Sequence, residues 1–376
     1  MYSLPSEVKF CKKCVISNQR PRIKFDDEGI CSACRFSEHK NNSIDWIKRE
    51  KELKKLCDEN RKDNNEYDVI VPGSGGKDSN YVAHVLKHQY GMNPLIITWS
   101  PHIYTDIGRR NLTSIIDSGF DNVLVTPDGN IHRKMTKAAF VEMGDPFQPF
   151  IFGQYSTPFR YALFYDIKIV FYGEDGEVEY GGSMDFADRP SLKFNDFTKH
   201  RFSGVYPKSF ENYNISAREL SKYGLTENEL LNLKNKKIEQ HFFSYYKKWI
   251  PQENFYYASE NTGFEVNPER TEGTFTKYAS LDDKLDGFHY YLSYIKFGIG
   301  RTTSDAAHEI RDGNITREEG VELVRKFDGE FPKKYFKEFL DYCDIDESFF
   351  YQVINNWRNK NLWDYKDNKW KLEYKI

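Results

Sequence analysis

The sequence predicts an α/β fold, a Rossmann-like parallel sheet preceded by a small cysteine-bearing lobe and followed by a helical region. Three observations carry this. Short runs of β-branched and aromatic residues alternate with helical patterns from Tyr67 to Tyr172, the signature of strands joined by crossover helices. The first run is followed directly by a glycine-rich loop that opens a helix. Two close cysteine pairs stand ahead of it all, among charged and turn-forming residues.

The elements follow in order. Residues 44–60 form a charged helical stretch with Trp46, Ile47, Leu53 and Leu56 as its apolar positions, a linker helix laid on the next domain. Residues 68–71 are a short buried strand, and residues 80–88 a helix with Val82, Val85 and Leu86 on one face. A second strand covers 94–99, a helix 105–118, a third strand 122–125, a helix 131–142 and a later strand 168–172. Residues 177 to about 270 are rich in Phe, Tyr, Asn and Lys without clear periodicity and read as an irregular insertion. Helical patterns return after Leu285, at 317–326 and 335–342. The expected division is 1–42 for the cysteine lobe, 43–66 for the linker helix, 67–180 for the α/β domain, and 181–376 for the insertion and the helical C-terminal region.

A chain of 376 residues with 26 Tyr and 29 Phe can build real cores, and its net charge of -3 gives no general attraction to nucleic acid or anionic membrane. No apolar run approaches the ~20 residues of a membrane helix, and residues 1–10 lack a signal-peptide core. A cytoplasmic protein is expected.

Chemistry concentrates in Pro72-Gly73-Ser74-Gly75-Gly76-Lys77-Asp78-Ser79. Small residues let backbone N–H groups approach phosphate oxygens, and a helix N-terminus adds favourable partial charge. Ser74 and Ser79 offer hydroxyls, Lys77 a neutralising charge, and Asp78 a ligand for Mg2+. Asp78 stands where a Walker loop needs Ser or Thr. The segment resembles instead the Ser-Gly-Gly-x-Asp-Ser signature of the PP-loop ATP pyrophosphatases, which cleave ATP between its α and β phosphates. Thr98-Trp99-Ser100 closes the second strand, where such enzymes hold adenosine, and Glu174 follows the later strand into the same cleft. For Trp99, a plain core role fits equally well.

Cys11-x2-Cys14 and Cys31-x2-Cys34 form two knuckles sixteen residues apart. Four thiolates so spaced close a tetrahedral Zn2+ site, structural because no position is left open for water. Cys57 and Cys343 sit in helical patterns and read as buried apolar residues.

Further segments make the resemblance closer. The stretches Phe10-Cys11-x2-Cys14-Val15, Trp99-Ser100-Pro101-His102, Tyr104 to Gly108, Asp145 to Gln154, Phe171 to Glu174, and Lys296-Phe297-Gly298-Ile299-Gly300-Arg301 with Thr303, Asp305 and Ala306 are similar to those of the N-acetyl sugar amidotransferases. That PP-loop group serves bacterial surface-polysaccharide (O-antigen, lipopolysaccharide) and flagellin-sugar pathways. The resemblance implies an AMP-forming C–N ligase that turns an acetamido group on a sugar, free or nucleotide-linked, into an acetamidino group through an O-adenylyl imidate. It also implies ATP contacts at Gly153, and a role for Arg301 on the sugar, with Thr303, Asp305, Gln148 and Gln154 nearby. Arg301 and Asp305, four apart, equally fit an ion pair on one helix face.

Position 2 is Tyr, and neither Cys57 nor Cys343 lies in a glycine-flanked elbow. A separate class I glutaminase subunit is therefore expected to supply ammonia. Two alternatives stand: a PP-loop tRNA thiolase, which shares the adenylylation step, and a zinc-ribbon nucleotide-binding module without turnover.

Overall fold

The structure, a computed structural model, describes residues 4–62, 65–192, 202 and 204–376. Six strands form one sheet in the order β3-β2-β1-β4-β6-β5. They are β1 (Val69–Pro72), β2 (Pro94–Trp99), β3 (Asp121–Val125), β4 (Ile169–Tyr172), β5 (Ser191–Leu192) and β6 (Glu239–Phe242). All pairings are parallel except that of β5 with β6. The chain crosses from the β2 side of β1 to its β4 side, so a crevice opens beyond the C-terminal ends of β1 and β4, where open α/β sheets bind ligands.

Both sheet faces are covered, as a parallel sheet requires. In β1, Val69 and Val71 join one apolar cluster with Val82, Leu86 and Phe243, while Ile70 joins another with Phe159, Val170 and Phe242. This is the two-residue alternation of a strand. The helices α3 (Lys77–Tyr90), α4 (Asp106–Asp117), α5 (Gly129–Met143) and α6 (Gln148–Phe164) supply the cover. Ahead of them, α1 (Ser32–Asn42) closes the cysteine lobe and α2 (Trp46–Asn60) is the linker helix.

The sheet runs past the expected boundary at residue 180. β6 pairs residue for residue with β4, and the helix Pro251–Thr262 packs along α3. The region read as an irregular insertion thus contributes a strand to the sheet and a wall to the site, while its residues 193–201 and 203 lie outside the described residues. The strand was hidden because Glu-Gln-His-Phe carries no β-branched residue; its place comes from pairing with β4, a tertiary cause. Helix α6 was missed too, for its Pro149 in the first turn and Pro158 in the interior disguise a helix in the sequence.

After residue 280 the chain is helical, with Asp286–Phe297, Arg301–Asp312, Arg317–Phe327, Phe336–Cys343 and Glu347–Trp357 preceding a small hairpin of β7 (Trp363–Lys366) and β8 (Lys369–Leu372). The helix Arg301–Asp312 reaches back to the cysteine lobe: Ile299, Ala306, Ala307 and Val321 share an apolar cluster with Cys11, Cys14, Val15 and Ile16. Among the described residues, no helix is long and apolar enough to cross a membrane.

Candidate active site

The glycine-rich loop leaves β1 and turns into α3 under tight constraint. The Gly73 N–H donates to the Ile97 carbonyl at 3.0 Å, and the Thr98 hydroxyl donates to the Gly73 carbonyl while accepting from Asn122 Nδ2. Gly75 has φ +87°, and a Cβ there would lie 2.6 Å from the backbone of Asn111 and Leu112 on α4. Only glycine meets both demands. Gly76, by contrast, would have nothing within 4 Å of an added Cβ: its bare side faces an open cradle. Gly76 is also the N-cap of α3, and no side chain caps that helix. The first-turn N–H groups are therefore left to a ligand, and an anion is the favoured one.

Two cavities meet at this loop. The smaller, about 280 Å³, is lined by Gly75, Lys77, Gly108, Asn111, Tyr278 and Asp282. The larger, about 670 Å³, is lined by Gly73, Ser79, Trp99, Gln154, Tyr172 and Arg20. Ser74, Gly76, Asp78, Glu174, Tyr180, Tyr290 and Arg301 border both.

Lys77 Nζ sits 2.6 Å from the Asp78 carboxylate, and Asn254, on the helix Pro251–Thr262, donates to Asp78 at 3.3 Å. Burial, reinforced by the Asp78 charge, pushes the Glu174 carboxyl up to about 7. Two carboxylates facing one another across a cleft that fits a polyphosphate suit a divalent cation. Burial likewise raises Asp282 to about 6. Arg301 Nε holds Asp305 at 2.9 Å, and its Nη1 donates to the Tyr290 hydroxyl. Thr274 Oγ1 donates to Asp305 at 2.6 Å. The helix-face ion pair is real, yet it lines the cavities instead of the surface. Its charge is largely spent on Asp305.

The raised Glu174 gives a testable sign. Between its ordinary 4.5 and about 7 the folded chain retains a proton that the unfolded chain has released, so this group opposes folding increasingly as pH rises through that window. Glu174→Gln should raise the metal-free Tm at pH 8, and the gain should shrink toward pH 5. Thermal unfolding at the two pH values reads it.

Several expected site residues have other work. Thr98 borders neither cavity and pins the Gly73 carbonyl. Gly153 does not border them either: a Cβ on it would lie 2.0 Å from the Trp99 indole. It lets α6 press on Trp99, which forms one wall of the larger cavity. Gly153→Ala should displace that ring and weaken ATP binding about tenfold or more, which calorimetry checks. Gln148 is buried against the Phe202 carbonyl at 3.4 Å, and Thr303 donates to Asp328 at 2.6 Å. These polar side chains satisfy buried groups and border neither cavity. Gln154 does line the larger cavity. Sequence reasoning missed Arg20, Tyr180, Asn254, Asp282 and Tyr290, which come from four separate segments without a shared motif.

In the N-terminal lobe, Cys11, Cys14, Cys31 and Cys34 are buried with all sulfurs within 4.8 Å of one another. The Cys11–Cys34 and Cys14–Cys31 sulfurs are 3.8 and 3.7 Å apart. A tetrahedron with metal–sulfur bonds of about 2.3 Å has edges of about 3.8 Å, so the four thiols are set for one metal ion. The Cys31 and Lys13 N–H groups donate to Cys11 Sγ at 3.3 and 3.4 Å, which steadies a thiolate. Cys57 and Cys343 are buried away from both cavities, and burial pushes each thiol up to about 12. Neither is a reactive thiolate at neutral pH.

Fold and loop together define an α/β protein with a mostly parallel sheet, in which the loop that resembles the PP-loop signature joins the C-terminal end of β1 to the start of α3. Residues 272–376, which carry Arg301, match the family model for the C-terminal domain of the LPS biosynthesis protein WbpG-like family, and this supports the family that the motifs indicated. Two solved structures are similar to the chain. One is the NH3-dependent NAD synthetase from Campylobacter jejuni subsp. jejuni NCTC 11168 in complex with the nitrate ion, at 15% identity and TM-score 0.30 over 52% of this chain and 94% of that one. The other is the U34-tRNA thiolase NcsA from Methanococcus maripaludis with its [4Fe-4S] cluster, at 17% identity and TM-score 0.29 over 91% of this chain and 96% of that one. A comparison with curated proteins finds no match.

Proposed function

We propose that the chain is an ATP-dependent amidotransferase that converts the acetamido group of a sugar to an acetamidino group, releasing AMP and pyrophosphate. The observation that carries this is the uncapped α3 N-terminus, with the empty cradle at Gly76, set where two cavities join. One cavity can take a nucleotide and the other a reactant that meets its phosphates at the loop. The WbpG-like domain, described as one of LPS biosynthesis, supports a sugar as that reactant.

An amide carbon is a poor electrophile and its oxygen a poor leaving group. In the proposed reaction the amide oxygen bonds to the α-phosphorus as the α–β bridge breaks, with the electron pair leaving on pyrophosphate. Ammonia then bonds to the amide carbon, and AMP departs with the former amide oxygen. Ser74, Gly75, Gly76 and Lys77 hold the departing pyrophosphate, while Trp99 walls the nucleoside side. Asp78 and Glu174 would hold Mg2+, which neutralises charge developing on the phosphates. Asp282, near neutrality in the smaller cavity, is placed to take the proton that ammonia sheds.

The lobe's four sulfurs, too close to sit on the separate irons of a polynuclear cluster, support structural Zn2+. With Cys57 and Cys343 buried and raised, ammonia comes from a separate glutaminase subunit, and the reaction runs in the cytoplasm, where ATP is made available. The test is an acetamido sugar carrying 18O in the amide, supplied with ATP, Mg2+ and ammonium. Label should appear in AMP. Label retained in the sugar would sink the reading.

A further inference from the structure

Arg20 lies between the two cysteine knuckles, in the lobe, yet its side chain lines the larger cavity. It stands over the Tyr180 ring at 5.7 Å. Its Nε is sealed from solvent and has no hydrogen-bond partner. The neighbouring carboxylate, Glu177, is already engaged: Arg22 Nε and Nη2 both donate to it, with the Nε bond at 3.0 Å, and the Ser183 N–H adds another at 2.8 Å. Two arginines thus face one glutamate. Burial lowers Arg20 only to about 10, so the guanidinium stays charged at neutral pH. A guanidinium nitrogen sealed from water without a partner is costly, and a charged side chain so placed at a cavity wall is completed by an anion held there.

We propose that Arg20 is an anion-binding residue that the metal lobe lends to the larger cavity, and that it takes a carboxylate or phosphate of a bound reactant. This rests on the cavity serving as a substrate site, as read above, and not on the identity of the reaction. Arg301, paired to Asp305, is the weaker candidate for that charge.

The position is built by docking. Arg22, at φ 67°, turns the chain so that its own side chain grips Glu177. Gly181 lets that segment approach Ile23 and Ala33, where a Cβ would stand 3.1–3.3 Å from their side chains. The lobe therefore contributes more than its own stability: it presents a charged side chain to the larger cavity.

The anion has two possible sources, the nucleotide or the acceptor, and binding measurements without turnover separate them. Wild type, Arg20→Met and Arg20→Lys would be titrated by calorimetry with ATP, with glucuronate and with UMP, glucose serving as the neutral control. Arg20→Met should lose about 10- to 100-fold in affinity for the anion it holds, the range expected for a charged hydrogen bond, and Arg20→Lys should recover part of it. A loss confined to ATP assigns the nucleotide; a loss confined to glucuronate or UMP assigns the acceptor. Because the charge is unpaired in the free protein, Arg20→Met should also keep or raise the ligand-free Tm. A lowered Tm with all affinities unchanged would make Arg20 merely structural and overturn the proposal. So would a variant indistinguishable from wild type with every probe, whatever reaction the enzyme performs.

Discussion

Gly75→Ala is expected to abolish the proposed ATP cleavage, with a loss of about 1,000-fold or more in turnover. Gly75 combines φ +87° with a Cβ position 2.6 Å from the α4 backbone. A left-handed conformation costs an L-residue roughly 1–2 kcal/mol, and the clash is with main chain, which cannot rotate away. The loop must shift, and the N–H groups that would converge on phosphate lose their aim; misplacement by an ångström costs orders of magnitude in rate. Gly76→Ala is the informative contrast. Nothing stands within 4 Å of its Cβ, so Tm should be unchanged while a methyl group occupies the cradle and ATP affinity falls. Parallel measurements of Tm and ATP affinity on the two variants separate a bent loop from a filled one.

Cys31→Ser, or removal of the metal by a strong chelator, is the second large effect. A structural zinc contributes on the order of 10 kcal/mol in small zinc-finger domains, and the lobe has little core beyond its cysteines, Val15, Ile16 and Ile30. The damage should not stay local. Arg317 donates to the Cys14 and Cys11 carbonyls at 3.2 and 3.3 Å, and Ala306 and Ala307, on the helix that starts at Arg301, pack on the lobe. Loosening the lobe therefore loosens Arg301 and removes the support of Arg20. The expected result of either is a Tm lowered by roughly 10 °C, together with weaker substrate binding, and adding Zn2+ should restore the chelated wild type but not Cys31→Ser. Unchanged binding after verified metal loss would separate lobe from site.

What could be read from the sequence was what local chemistry dictates. β1, the loop and α3 are contiguous, and their hydrophobic and glycine pattern reflects constraints only a few residues apart. The cysteine spacing reflects a geometry that four side chains must meet by themselves. What escaped depends on distant partners. β6 is a strand because β4 offers it an edge, and Gly153 is a glycine because Trp99 lies against it. Thr98, Gln148 and Thr303 look like ligand contacts in sequence, yet each satisfies a protein carbonyl or carboxylate. Arg20 escaped for a different reason. It sits inside a motif whose evident role is to hold metal, and only the docked lobe shows where its side chain goes.

The measurement that bears most directly on the central claim is the identity of the nucleotide products. The purified chain would be incubated with ATP, Mg2+, ammonium and a panel of acetamido sugars, free and nucleotide-linked, and followed by phosphorus NMR. The proposed reaction at the junction of the two cavities gives AMP and pyrophosphate in equal amounts, dependent on the sugar and lost in Gly75→Ala. ADP and phosphate as the products would contradict the account.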